Sequence, residues 1–310
     1  MKRLLVIGGT GFIGRHLCQA AMDAGYAVTA LSLHPAAPAI PGARHLTADI
    51  GDIQALGASL AGLQFDYVVN CGGYIDHRSF SNGGRALIDG YVEGIQNLIE
   101  CLDRTCLTRF VQLGSSDEYG NAPAPQSEDA REAPISPYSM ARVAVTHLLQ
   151  MLWRTEKFPA VVLRVFLTYG SGQGVERFVP QLIKGCLLNE RFPVSAGVQL
   201  RDFCYIKDIV QGILAALEAD NVCGELINLA SGNPLSIRSL IETVQHIVGT
   251  GEPDFGKIPY RIGENMALYA NVGKAASLLG WRPETSLMDG MQDTIAFYRD
   301  PFVEKATVGK

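Results

Sequence analysis

The sequence predicts an α/β fold, a doubly wound parallel sheet with a smaller domain attached. Three features predict it. Short buried apolar runs alternate with helical patterns, glycines follow the first apolar run, and after Tyr169 the chain changes to loops with isolated Pro and Gly. Alternating strands and helices favour right-handed βαβ units, which place strands in parallel and helices on both faces.

The individual elements follow from apolar periodicity. A short run of apolar residues between glycines or polar residues is typical of a buried strand, and apolar residues three and four apart are typical of a helix. The predicted strands are residues 4–7, 27–31, 67–69, 110–113, 160–165 and 226–229, and the predicted helices are 12–24, 85–102, 138–155, 209–217, 237–248 and 273–279.

The length of 310 residues favours two domains, at roughly 150 residues per domain. The strand–helix pattern pauses after residue 166, returns near 206 and ends near 231. We therefore predict a first domain of residues 1–166 plus about 206–231. The second, of about 167–205 plus 232–310, is interleaved with it and mostly C-terminal.

Composition excludes several classes of protein. The net charge of −5 argues against binding nucleic acid through its phosphates, and no apolar stretch reaches membrane-spanning length. The start MKRLLVIGG breaks too soon at its glycines to predict a signal peptide. Seven scattered cysteines without a C-x-x-C pair indicate reduced thiols in the cytoplasm, and no Cys/His cluster has the spacing of a metal site.

A glycine-rich turn, GGTGFIG, links the first strand to the first helix. Early glycines allow a tight turn and let backbone N–H groups approach a pyrophosphate at the positive end of the helix. A third glycine allows close packing of helix on strand. The position of the motif predicts a bound dinucleotide, held by Gly8, Thr10, Gly11, Phe12, Ile13 and Gly14.

The end of the second strand bears on which dinucleotide is bound. Ser32 stands where an acidic residue usually binds the ribose 2′-hydroxyl, so no carboxylate is present to repel a 2′-phosphate. Arg15 or His34 can lie near that phosphate, although both also suit a solvated surface. NADP is therefore favoured over NAD. Asp49, followed by Ile50, can contact the adenine, or Asp49 can be an ordinary surface carboxylate.

Motifs along nearly the whole chain resemble the extended short-chain dehydrogenase/reductase family. They are GGTGFIG at 8–14, GSSDEYG at 114–120, PYSMAR at 137–142, LRVFLTYGSGQ at 163–173, QLRDFCYIKDIV at 199–210 and YANVGKAASLLGW at 269–281. The resemblance implies a Rossmann-like first domain, a nucleotide-diphosphate sugar as substrate, and a homodimer paired through helices 85–102 and 138–155.

Hydride transfer at a sugar carbon needs a partner that moves a proton. A tyrosine, with an ordinary pKa of about 10, serves when a cation four residues later on the same helix face stabilises its phenolate. Tyr138 and Arg142 have this spacing. The family pattern S/T-x-x-x-Y-G selects Ser115 as the hydroxyl that stabilises developing charge, with Ser116 as the alternative. Taken alone, Tyr138 also suits a core aromatic.

The sequence departs from the family pattern in three places. Arg142 replaces a lysine, which keeps the charge but brings a wide planar group that does not relay protons. Either the site is adapted to arginine or its activity is weakened, and we favour adaptation. Cys71, Gly72 and Gly73 replace a His-Leu-Ala-Ala segment beside the cofactor, and Leu167 replaces an asparagine that contacts substrate.

The second domain is expected to bind the nucleotide diphosphate. Arg201 and Arg261 stand at the matching positions and suit bidentate contact with phosphate, although each can pair with a nearby acid, Asp202 or Glu264. Asp208 is expected to orient Arg201 or cap a helix. The remaining candidates for the substrate pocket are Phe178, Pro180 and Tyr74.

The reaction type is left open among three alternatives. GSSDEYG resembles GDP-4-keto-6-deoxy-mannose reductases, and the segments after Tyr169 resemble CDP-abequose and paratose synthases, so an NAD(P)H-dependent 4-ketoreductase leads. A C4-epimerase comes next. A 4,6-dehydratase would use Asp117 and Glu118 as acid and base, but these lie one position late. A protein that binds dinucleotide without turnover is the alternative outside enzymes.

Overall fold

The computed structural model describes residues 1–35, 39–76, 78–260 and 263–308, with side chains described as far as residue 302. The strands, in chain order, are β1 (Arg3–Ile7), β2 (Ala27–Ser32), β3 (Arg44–Thr47), β4 (Tyr67–Asn70), β5 (Arg109–Ser115), β6 (Ala160–Val165), β7 (Leu167–Tyr169), β8 (Arg191–Val194), β9 (Leu200–Tyr205), β10 (Leu226–Leu229), β11 (Pro234–Ser236), β12 (Glu252–Phe255) and β13 (Ala267–Leu268). The helices are α1 (Phe12–Asp23), α2 (Ile53–Leu60), α3 (Arg85–Cys101), α4 (Pro137–Glu156), α5 (Phe178–Leu187), α6 (Ile206–Glu218), α7 (Ile237–Val248), α8 (Gly273–Leu279) and α9 (Leu287–Val308).

The main sheet has seven parallel strands in the order β10-β6-β5-β4-β1-β2-β3. The direction of winding reverses between β1 and β4, since the chain runs outward to β3 on one side and to β10 on the other. In open parallel sheets, ligands bind at the carboxyl ends of the strands beside such a reversal. This confirms the predicted α/β class and directs attention to the loops after β1, β4 and β5.

Alternation within β1 shows why the sheet is covered on both faces. Leu4 and Val6 belong to one buried apolar cluster, while Leu5 and Ile7 belong to another. Successive side chains of a strand point to opposite faces, so a strand that is apolar throughout needs helices on both sides. The first cluster includes residues of α1 and α6, and the second includes residues of α3 and α4.

The remaining strands form two small sheets. β9 pairs with β7, β11 and β13, and β8 pairs with β12. Several elements after Tyr169, among them α5, β8 and β9, were not predicted as regular structure. Short segments of mixed polarity give no clear hydrophobic periodicity. The helix predicted at residues 209–217 begins earlier, at Ile206. Among the described residues, no helix is both long and apolar enough to cross a membrane.

Candidate active site

The glycine turn lies between β1 and α1 at the reversal of the sheet. Gly8 has φ +72°, a conformation that L side chains rarely adopt, and its N–H donates to the Leu31 carbonyl at 2.8 Å. A Cβ at Gly14 would overlap the Gly8 carbonyl oxygen. Gly11 caps α1 without a side-chain hydrogen bond to the helix. The result is a small cradle beside the N-terminus of α1, which fits a dinucleotide pyrophosphate.

A second turn adjoins this cradle. Cys71, the first residue after β4, donates its N–H to the Ile7 carbonyl at 3.0 Å. A Cβ at Gly8 would lie 3.0 Å from the Gly72 nitrogen, so the two turns meet closely. The predicted cofactor segment at Cys71, Gly72 and Gly73 therefore borders the glycine turn.

The end of β2 differs in detail from the expectation for Ser32. Its side chain is buried, and its Oγ accepts hydrogen bonds from the Thr10 hydroxyl at 2.9 Å and the Thr10 N–H at 3.3 Å. Arg15 donates from Nε to the Thr10 carbonyl at 2.9 Å. Ser32 thus braces the glycine turn, and the side chains exposed at this strand end are Leu33 and His34. Asp49 is also exposed, and its Oδ1 accepts from the Gly51 N–H at 2.8 Å.

Tyr138 and Arg142 share one face of α4. Ser136 caps this helix by accepting from the Ser139 N–H at 3.1 Å, which sets Tyr138 in the first turn, where it is 2% exposed. The Arg142 guanidinium carbon lies 5.4 Å from the Tyr138 ring centre, and Nη1 donates to the Leu113 carbonyl at 2.9 Å. Burial lowers the pKa of Arg142, but the neighbouring tyrosines raise it by more, so the net pKa lies above its ordinary value. The guanidinium therefore stays charged.

Ser115 is the last residue of β5, and its side chain is buried. Its Oγ accepts from the Asp117 N–H at 3.2 Å and so caps the short turn Ser116–Tyr119. The alternative Ser116 is only 3% exposed, and Asp117 is half-buried. Arg142 donates to the carbonyl of Leu113, two residues before Ser115, which ties α4 to this strand end.

A buried ionic network under this turn was missed by sequence reasoning. Glu118 is fully buried: Oε1 accepts from the Ser115 N–H at 2.8 Å, and Oε2 accepts from the Thr146 hydroxyl at 2.7 Å and Arg164 Nε at 2.9 Å. Arg164 also donates to Glu132 at 2.6 Å. The S-x-x-E spacing of Ser115 and Glu118 is a capping box and was the available signal.

The predicted diphosphate arginines have different outcomes. Arg201 lies in β9 and is 9% exposed. It donates to the Leu200 and Asn265 carbonyls, each at 2.8 Å, and forms an ion pair with Glu264. Arg261 lies outside the described residues.

The remaining candidates for the substrate pocket differ in their exposure. Phe178 begins α5 and is 38% exposed, Pro180 is buried, and Tyr74 is 59% exposed. The expectation for Asp208 was wrong. Its carboxylate accepts from the N–H groups of Glu284 and Thr285, each at 3.2 Å. These contacts fix the loop that precedes α9. No group of three or more potential metal ligands is found within the described parts of the chain.

Comparison with known proteins agrees with this geometry. The model of the NAD dependent epimerase/dehydratase family matches residues 4–230. The chain belongs to this family, and it is an enzyme of the extended short-chain dehydrogenase/reductase type. The match spans the glycine turn, Ser115, Tyr138 and the parallel sheet apart from Arg3, its first residue.

Similar proteins include both epimerases and dehydratases. The chain is 27% identical to the uncharacterised UDP-glucose epimerase YtcB of Bacillus subtilis, over 95% of this chain and 97% of that protein. It is also 27% identical to a dTDP-glucose 4,6-dehydratase of Streptomyces niveus, over 96% and 93%. The crystal structure of UDP-glucuronic acid 4-epimerase from Bacillus cereus, in complex with UDP-glucuronic acid and NAD, superimposes with a TM-score of 0.85 at 28% identity. That superposition covers 96% of this chain and 99% of that one.

Proposed function

We propose that the protein interconverts the C4 epimers of a nucleotide-diphosphate hexose, with Tyr138 as the acid/base. The observation that carries the proposal is the buried Tyr138–Arg142 pair, tied through Leu113 to the strand that ends in Ser115. A permanent cation beside a phenol lowers the cost of removing its proton.

Each residue has a role in this proposal. Tyr138 takes the proton of the C4 hydroxyl and later returns it. Ser115 hydrogen-bonds the same oxygen while charge develops there. Arg142 stabilises the phenolate and stays protonated throughout, so it moves no proton. NAD, held at Gly8, Gly11 and Gly14, supplies the hydride acceptor when bound.

The fixed position of Glu118 argues against a dehydratase. Loss of water requires a general acid and a general base that reach the sugar, the roles expected of Asp117 and Glu118 in a dehydratase. Both oxygens of Glu118 are used by Ser115, Thr146 and Arg164 inside the protein. Asp117 alone then remains on this turn as a carboxylate that is not fully buried.

A 4-ketoreductase is the second candidate, and Ser32 favours it. A reductase consumes its reduced cofactor, which in cells is commonly NADPH, and the end of β2 carries no carboxylate to repel a 2′-phosphate. The resemblance of GSSDEYG to 4-ketoreductases supports the same reading.

We also propose that Arg201 contacts the diphosphate of the substrate. Its guanidinium, which forms an ion pair with Glu264 in this structure, would instead donate to two phosphate oxygens. This exchange of partners would release Glu264.

For the assembly we propose a cytoplasmic homodimer paired through α3 and α4. The exposed Met140 and Met151 on α4 support an apolar outer surface there.

A panel of sugars separates these candidates. The protein is incubated with UDP-, GDP-, CDP- and dTDP-hexoses and with their 4-keto-6-deoxy forms, with NAD, NADH and NADPH in parallel. Epimerisation of a hexose without net change in nicotinamide absorbance is the expected result. Oxidation of NADPH by a 4-keto sugar would instead support the reductase. Release of a 4-keto-6-deoxy product would support the dehydratase, and binding of dinucleotide with no turnover would support a non-catalytic role.

A further inference from the structure

Arg142 lies between two aromatic rings, only one of which belongs to the proposed catalytic machinery. Its guanidinium carbon is 4.8 Å from the ring centre of Tyr91 on α3 and 5.4 Å from that of Tyr138. The two rings meet edge to face, with centres 5.9 Å apart and planes at 75°. Tyr91 is therefore closer to the cation than the catalytic tyrosine is.

Tyr91 is held in place from the other side. Its hydroxyl donates to the Tyr74 carbonyl at 2.6 Å and accepts from the Tyr74 N–H at 2.8 Å. Burial raises the pKa of Tyr91, although Arg142 counteracts it, so the hydroxyl stays protonated near neutral pH. The ring is thus a fixed neutral surface for the cation to stack on.

Gly73 makes room for this arrangement. A Cβ there would lie 2.6 Å from the Tyr91 hydroxyl oxygen and 3.0 Å from Arg142 Nη2. An alanine at this position would therefore push against both groups. Two departures from the family pattern, glycine at 73 and arginine at 142, therefore lie next to each other, and the absence of a side chain at 73 leaves room for the guanidinium.

We propose that Tyr91 is a positioning residue for Arg142, and that Tyr91 and Gly73 together adapt the site to a guanidinium. This inference rests on the proposed role of Arg142 beside Tyr138. A guanidinium is weakly hydrated and stacks on aromatic faces, whereas an ammonium is strongly hydrated and needs several acceptors.

Hydrogen bonds among the described residues hold only part of the Arg142 guanidinium. Nη1 bonds to the Leu113 carbonyl, and Nε has no partner among the described residues. The face of Tyr91 therefore supplies a contact that suits the planar guanidinium better than a compact ammonium.

The test compares Tyr91→Leu, Tyr91→Phe, Arg142→Lys and the double variant Tyr91→Leu/Arg142→Lys. Tyr91→Leu removes the ring and leaves the cation less well held, so the pH at which activity is half-maximal should rise by about one unit. At neutral pH, kcat should fall about tenfold. Tyr91→Phe keeps the ring and should stay within about threefold of the parent.

Coupling between the two positions is the decisive readout. Arg142→Lys should also lower kcat, and Tyr91→Leu should change kcat by less than about twofold in the lysine background. Two results would overturn the proposal. One is an unchanged pH of half-maximal activity in Tyr91→Leu, and the other is an equal loss of kcat on Tyr91→Leu in the arginine and lysine backgrounds. Thermal unfolding of each variant separates misfolding from a change at the site.

A second measurement keeps this inference separate from the proposed function. Tyrosinate absorbance is followed against pH in the parent and in Tyr91→Leu, each corrected with its Tyr138→Phe counterpart. The absorbance of Tyr138 should develop at higher pH in Tyr91→Leu. An unchanged midpoint would refute the positioning role even if no sugar substrate were found, whereas a shift without any turnover would refute only the proposed reaction.

Discussion

Tyr138 and Arg142 lie one helical turn apart on α4, and the guanidinium carbon of Arg142 is 5.4 Å from the Tyr138 ring centre. This relationship makes the Tyr138 hydroxyl the expected proton carrier. Tyr138→Phe keeps the ring and removes the hydroxyl, so kcat should fall by about 10²–10⁴. Affinity for the cofactor, measured by calorimetry, should change only a few-fold. Near-parental turnover would refute Tyr138 as the acid/base.

Glu118 should contribute strongly to stability. In Glu118→Gln, one amide oxygen can still accept from the Ser115 N–H, but the NH₂ group then faces the donor Nε of Arg164. A charge is left buried with one partner fewer, which should lower the free energy of unfolding by about 3–5 kcal/mol. Urea denaturation measures this loss.

Glu242 provides the matched control for that substitution. It forms an exposed i,i+4 pair with Arg238 at 4.0 Å. Surface pairs of this kind contribute about 0.3–0.5 kcal/mol, so Glu242→Gln should be nearly neutral. Equal effects of the two substitutions would show that the buried network adds nothing beyond a surface pair.

Local patterns explain what the sequence could predict. The glycine turn follows a buried apolar run and opens a helix, so its position and its need for glycine are readable from neighbouring residues. Tyr138 and Arg142 are likewise four residues apart on one helix, and that spacing alone places them together. Six of the seven strands of the main sheet were predictable for the same reason, since each is a short, mostly apolar run, whereas β3 has the mixed sequence RHLT.

Contacts between distant segments explain what it could not. Arg164 meets Glu118 across 46 positions and Glu132 across 32, and nothing in the local sequence pairs them. The stacking of Arg142 on Tyr91 joins two helices whose rotation is set by packing. The buried bond of Ser32 to Thr10 was missed because a serine at a strand end is usually exposed.

Glu132 should make stability depend on pH in the acid range. Burial raises the pKa of Glu132, but Arg164 and nearby positive charge lower it by more, so its pKa in the folded protein is below the ordinary value. The stabilisation that Glu132 gives the folded protein is therefore complete above the pKa of a glutamate in the unfolded chain, about 4.3. It is lost as pH falls through the pKa of Glu132 in the folded protein. Urea unfolding between about pH 6 and pH 3 should show a shallower acid loss in Glu132→Gln than in the parent. Parallel curves would contradict this.

The glycine turn should tolerate no side chain at position 14. A Cβ there would overlap the Gly8 carbonyl oxygen, so Gly14→Ala must push α1 away from the turn. Unfolding free energy should fall by about 1–3 kcal/mol, and NAD should bind more weakly. Gly90→Ala is the control, because that exposed helical glycine has nothing within 4 Å and should gain about 0.5–1 kcal/mol. Unaltered NAD affinity in Gly14→Ala would argue against the turn as the pyrophosphate site.

Ser32 should decide the preference between the two dinucleotides. Its buried Oγ lies against Thr10 at the end of β2, and Ser32→Asp would add a negative charge where a 2′-phosphate is expected. Affinity for NADPH should fall at least about tenfold through repulsion, while affinity for NADH should hold or improve. Ser32→Asn has nearly the same size without the charge, so it separates repulsion from disturbance of the Thr10 contact. Equal losses for both cofactors in both variants would mean that Ser32 only braces the glycine turn and sets no preference.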